Sequence, residues 1–214
     1  MEINGAYDGG QNAGFPPAPQ QAVGGRAAEE MLILVDEHNR AIGRAGKRKI
    51  HALGLLHRAF SIFLVDAAGR LLLQQRSRAK YHSGGLWANS CCGHPRPGER
   101  TQTAARRRLG EELGASATLR FGFRARYRTA LANGLVENEI VYVYFGVAPG
   151  RLHPDPAEVE SVKPLSLATL HADIARHPRR YAYWLRHYLK NHAAEIRRGA
   201  VNRKSRRGSS ARQR

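Results

Sequence analysis

Short apolar runs separated by turn residues dominate the first half of the chain. Met31–Val35 is one such run; it stops at Asp36, passes through a polar turn and resumes at Ala41–Gly43, which predicts a hairpin or an edge strand. Arg58–Val65 and Arg70–Gln75 flank the turn residues Asp66–Gly69 and read as strand, turn, strand. Beyond a proline-bearing loop, Gly93–Gly98, alanines and leucines recur at helical spacing from Thr101 to Leu113, and Gly114 supplies the stop. Thr118–Thr129 and Glu139–Val147 alternate as strands about the turn Ala132-Asn133-Gly134, while Ser166–His177 and Arg180–Ile196 read as closing helices. Strands with one central helix, followed by late helices, predict an α+β domain on a mixed or antiparallel sheet.

The periodic signal is absent from both ends. Residues 1–30 are rich in Gly, Ala, Pro and Gln and read as a flexible leader, and 197–214 as a basic disordered tail, leaving 31–196 as the folded domain. A chain of 214 residues with 42% hydrophobic content can bury one ordinary core, so a single domain is expected; the oligomeric state is left open, with a monomer favoured. No run approaches the roughly 18 apolar residues of a membrane span, and no secretory pattern opens the sequence. A cytoplasmic protein without membrane insertion follows. The two cysteines, Cys91 and Cys92, are adjacent and form no disulfide framework, which suits a reducing compartment.

The net charge of +18 favours an anionic ligand: nucleic acid, anionic lipid or a diphosphate. Much of it lies in the basic tail, which is read as solvated or as a weak polyanion contact. No aromatic RNA-binding motif or recognition helix accompanies it, so no specific nucleic-acid partner is expected.

A spaced pattern begins at Gly93: five residues to Glu99, seven more, then Arg107-Arg108-Leu109-Gly110-Glu111-Glu112-Leu113-Gly114. It resembles the Nudix box, a loop and helix whose carboxylates hold divalent metal against a diphosphate. It departs from the hydrolases at Arg108, where they carry a glutamate, and that replacement argues against hydrolysis. Trp87-Ala88-Asn89-Ser90-Cys91-Cys92-Gly93-His94-Pro95, then Tyr127-Arg128, then Gly134-Leu135-Val136-Glu137-Asn138-Glu139 are similar to the type 1 isopentenyl-diphosphate isomerases. That resemblance spans roughly Leu32 to His187 and implies a Nudix fold, a mixed β-sheet sandwiched by helices.

Glu137 and Glu139 stand two apart on a predicted strand, so both leave one face, and paired carboxylates call for a cation or a shared proton. His51, His57 and His94 would complete five ligands for octahedral Mn²⁺ or Mg²⁺, as the resemblance also implies, with Zn²⁺ the alternative. The His51–His57 separation is one residue shorter than in the bacterial members of that family, which predicts either a tightened loop or a displaced His51. The remaining histidines, His82 among them, are read as surface or hydrogen-bonded core residues.

The resemblance implies an isomerase that interconverts isopentenyl and dimethylallyl diphosphate by metal-dependent protonation and deprotonation through a tertiary carbocation. An acid and a base must then face opposite sides of the alkene. By resemblance Cys92 is one, its thiolate requiring a pKa lowered by nearby positive charge, and Glu139 with Tyr127 is the other. Cys91 is read as packing and Trp87 as structural. Trp184 would face the cation with its indole, Arg76, Lys80, Arg108 and Lys47 would bind the diphosphate, and Glu112 its own Mg²⁺. Two other readings compete: a true Nudix hydrolase and a basic nucleic-acid-binding module.

Overall fold

The computed structural model describes residues 29–200. Residues 1–28 of the expected leader and 201–214 of the expected tail lie outside them. Among the described residues the chain forms nine strands in one mixed sheet and five α-helices. A hairpin of β1 (Met31–Val35) and β2 (Ala41–Gly46) turns on Asp36, whose Oδ1 accepts the backbone N–H groups of His38 and Arg40.

Everything else is organised on β3 (His57–Val65). One edge of β3 pairs in parallel, over its whole length, with β8 (Val136–Val147), and β8 pairs antiparallel with β7 (Arg120–Ala130). The other edge is shared in turn by β1 at His57, by β6 (Cys91–Gly93) at Phe60–Ile62 and by β4 (Leu71–Arg76) at Leu64 and Val65. Strand β4 continues to the short β5 (Trp87–Ala88) and to β9 (Val159–Leu165).

Both faces of β3 are apolar, as a strand covered on two sides must be. Phe60, Ile62 and Leu64 pack under α2 (Thr101–Leu113), against Ala104, Ala105 and Leu109. Ala59, Phe63 and Val65 meet the other helices: α3 (Leu167–Arg176), α4 (Tyr183–Asn191) and α5 (Ala193–Ala200), through Leu170, Leu185, Tyr188 and Ile196. The sheet is therefore sandwiched by helices. Helix α2 ends at Gly114, whose left-handed φ of 56° lets its N–H reach the Gly110 carbonyl.

Several elements depart from expectation. The closing segment Arg180–Ile196 is not one helix. A 3-10 turn, Pro178–Arg180, precedes extended backbone at Tyr181 and Ala182, because Ala182 donates its N–H to the Trp87 carbonyl at 2.9 Å and Tyr181 bridges to Trp87. The chain breaks again at His192, between α4 and α5. Helix α5 runs to Ala200, four residues into the segment read as tail, anchored by the fully buried Ile196. Helix α1 (Lys47–Leu53) and β9 were not anticipated from the pattern. No helix among the described residues is long and apolar enough to cross a membrane.

Candidate active site

Sheet register assembles the centre of the site. Tyr127, Glu139 and His57 are direct cross-strand partners on β7, β8 and β3, so three side chains stand in one row on one face. Glu137, two residues back, takes the same face. Helix α1 delivers His51 from its last turn, and Gly54, left-handed at φ 62°, turns the chain sharply enough into β3 to bring His51 beside His57. His94 follows β6 directly. Ligand atoms of His51, His57, His94 and Glu139 all lie within 4.8 Å of one another. Glu137 falls outside that tight set but adjoins it, with Oε2 3.4 Å from His51 Nε2.

All five are buried. His94 Nε2 is 3.0 Å and His57 Nε2 3.4 Å from the same oxygen of Glu139, and the Tyr127 hydroxyl donates to the other at 2.5 Å. Burial opposes ionisation of Glu139, yet hydrogen bonds from His57 and His94 outweigh it and hold the carboxyl well below its usual range. Burial and the Glu139 charge push Glu137 up instead. Burial also lowers His94 to about 4, keeping its ring neutral.

Buried polar atoms without partners ordinarily cost about 1–3 kcal/mol each, and here they cluster. His51 Nε2, His57 Nε2, His94 Nδ1 and Glu137 Oε2 have no hydrogen bond. His57 Nδ1 is 2.9 Å from the Leu55 carbonyl, which assigns it the proton and leaves Nε2 with a lone pair. Imidazole lone pairs beside two carboxylates fit a divalent cation.

Cys92 lies on β6, directly across from Ser61 of β3. Both Nδ2 hydrogen bonds of Asn89 go to the carbonyls of Ile62 and Cys91, so its Oδ1 faces the Cys92 sulfur, which donates to it at 3.3 Å. Burial pushes the thiol up to about 12, against the opposing effects of Ser61 and Arg76. A thiolate base would need the opposite shift: the basic side chains are present, but desolvation is larger. Cys91 points the other way, fully buried under α2.

Cys92, Glu139, Tyr127 and His94 open on one cavity of about 320 Å³, together with Trp184 and all four cations expected at the diphosphate. The Arg76 guanidinium lies 5.2 Å from the Trp184 ring centroid. Arg108 donates to Glu112 at 2.5 Å and to Glu111 at 2.8 Å, and sits 3.1 Å from Glu158, which also pairs with Lys80. Glu112 is buried on α2 and accepts from Gln74 at 3.0 Å, apart from the histidine cluster. Lys47 pairs with Glu30 at 2.7 Å, so a residue assigned to the leader lines the cavity.

Sequence reasoning missed Glu158, Glu30, Ser61, Tyr81 and His82. His82 in particular was read as a surface or core histidine; it lines the cavity with Nε2 3.4 Å from Glu137 Oε1, because the loop after β4 folds back over the site. Its place two residues after Lys80 was the available signal. Burial, with Arg76, His51 and Lys47, lowers it to about 2.

The NUDIX domain family matches residues 55–188. An isopentenyl-diphosphate Delta-isomerase of Burkholderia multivorans is 51% identical, covering 73% of this chain and 89% of that protein. Isopentenyl-diphosphate Delta-isomerase 1 of Aromatoleum aromaticum is 50% identical, with coverage of 73% and 89%. A solved structure from Deinococcus radiodurans is 21% identical and covers 69% of this chain and 90% of its own, with a TM-score of 0.58 that supports the fold. By these matches the chain belongs to the isopentenyl-diphosphate Delta-isomerase family, on a Nudix fold.

Proposed function

We propose that the protein interconverts isopentenyl diphosphate and dimethylallyl diphosphate by moving one carbon–carbon double bond. The observation that carries this reading is a single cavity that joins two proton-carrying groups, an indole and four cations. Cys92 and Glu139 sit on β6 and β8, which flank β3 from opposite edges, so two separate groups border the space between.

The chemistry follows from what the substrate lacks. Its alkene is unactivated, so the π electrons take a proton at the terminal carbon and leave a tertiary cation. Loss of a proton from the carbon on the far side then forms the new double bond. Cys92 serves one carbon; Glu139, with Tyr127 hydrogen-bonded to its outer oxygen, serves the other. Trp184 offers its ring face to the cation, and the buried Tyr127, Glu139 and Trp184 side chains that line the cavity limit the water that would quench it. Arg76, Lys80, Arg108 and Lys47 hold the diphosphate, and Glu112 its accompanying Mg²⁺.

His51, His57, His94, Glu137 and Glu139 would hold Mn²⁺ or Mg²⁺. When bound, that ion supplies a fixed positive charge beside Glu139 which sets the proton affinity of the carboxylate. A hydrolytic reading is disfavoured by Arg108, a cation engaged with Glu111 and Glu112 where hydrolases carry a carboxylate.

The test is incubation of purified protein with isopentenyl diphosphate and Mg²⁺ or Mn²⁺, following both isomers and free phosphate. Dimethylallyl diphosphate without phosphate release, abolished by EDTA, is the expected result. Unchanged substrate, or phosphate released from it, would overturn the assignment.

A further inference from the structure

Two consecutive residues of the loop between β4 and β5 reach the histidine–glutamate cluster from behind. The Tyr81 hydroxyl is hydrogen-bonded to Nδ1 of His51, the ring nitrogen that faces away from Glu137. His82 Nε2 is 3.4 Å from Oε1 of Glu137, whose other oxygen is 3.4 Å from His51. Glu137 thus lies between two imidazoles, one near each oxygen.

Neither loop residue belongs to the four whose ligand atoms converge within 4.8 Å; Tyr81 reaches them through His51, and His82 lies beside Glu137. Their own places are fixed. The His82 side chain is 8% exposed and packs edge-on against Tyr81, with ring centroids 4.5 Å apart, and against Trp184 at 6.2 Å. Asn133, from the turn between β7 and β8, donates to the Tyr81 carbonyl at 2.9 Å and ties the loop down.

We propose that Tyr81 and His82 are positioning residues of the divalent-metal site, setting the ring orientation of His51 and the carboxylate orientation of Glu137. A histidine ligand is oriented by the partner of its second ring nitrogen, and a carboxylate ligand by the partner of its free oxygen. Leu55 does this for His57 through its carbonyl and Tyr127 for Glu139 through its hydroxyl, and the loop supplies the partners of His51 and Glu137. Because the same loop carries Lys80 and follows Arg76, it also joins the metal site to the diphosphate site.

This inference rests on the metal site in the proposed function, and its readout is metal affinity rather than turnover. Mn²⁺ alone would be titrated into metal-free wild type, Tyr81→Phe, His82→Phe and His82→Gln, with free Mn²⁺ followed by electron paramagnetic resonance. Thermal unfolding of each metal-free protein serves as the folding control. The two Phe variants should bind about 10–100-fold more weakly, and His82→Gln, which keeps a side-chain N–H donor, should recover most of the loss. Should His82→Phe not fold, weak binding by Tyr81→Phe with near-normal binding by His82→Gln carries the same conclusion.

Equal affinity in wild type and both Phe variants overturns the positioning role while leaving the metal site intact. A wild type that binds no Mn²⁺ removes the metal site and this inference with it. Normal Mn²⁺ affinity with a raised KM in His82→Phe also overturns it, and assigns His82 to the substrate wall.

Discussion

Lys80 carries the clearest consequence of the site's charge. Burial lowers its pKa most; Glu112 pulls it upward, and Arg76, Arg108 and Lys47 push it down, leaving it at about 8 rather than 10.5. A diphosphate held partly by that ammonium binds best below this value. KM should therefore stay flat below about pH 8 and climb above it, by at most roughly tenfold per pH unit as the charge is lost. In Lys80→Arg the rise should disappear, since guanidinium does not titrate there; an identical profile in both proteins would detach Lys80 from the phosphate. At this scale the sequence was informative where a motif fixed the context. Cys92, Glu139 and His94 were legible because Asn-Ser-Cys-Cys-Gly-His and Glu-Asn-Glu carry spacing as well as composition. The protonation of Cys92 was not, because it depends on how completely Phe60, Ser61 and Trp184 exclude water, which no local pattern states. His82 and Glu158 were missed for a related reason: each reaches the cavity only through the folded path of a loop.

Elements were legible in proportion to how far their periodicity is local. Helix α2 is bounded by residues 101 and 113 as its spacing predicts, with Gly114 beyond it. A side chain there is doubly resisted: φ is positive, and a Cβ would stand 2.7 Å from the His153 carbonyl oxygen. Gly114→Ala should cost about 1–3 kcal/mol in denaturant unfolding, and because α2 carries Glu112 and Arg108, KM should rise with it. An unfolding midpoint matching wild type would mean the turn has another conformation. Helix α1 escaped notice because seven residues with three cations present only Ile50 and His51 to the interior. Strand β9 contains Pro164, a poor central-strand residue, and is tolerated because its only sheet partner among the described residues is β4. The parallel pairing of β3 with β8, which creates the Tyr127–Glu139–His57 row, joins segments about 80 residues apart and has no signature in either segment alone.

At the scale of the whole molecule, the charge and the chemistry separate. Residues 201–214 contain six Lys and Arg and no Asp or Glu, so removing them lowers the formal charge from +18 to +12. Because Ile196 anchors α5, the cut belongs after Ala200 rather than at Arg197. The truncated protein should elute from heparin at clearly lower salt with kcat and KM unchanged within about twofold; a lost turnover would make the segment part of the active enzyme. The fold as a whole brings two proton-carrying groups to one cavity from opposite edges of a single strand, and that convergence is the central claim. Its most direct test is the reaction in deuterated water, with product followed by NMR, for wild type and Cys92→Ala. Wild type should deliver deuterium into dimethylallyl diphosphate. The variant should fold and bind metal normally while turning over at least about 10²-fold more slowly. Normal turnover and deuterium incorporation in Cys92→Ala would contradict the two-group site.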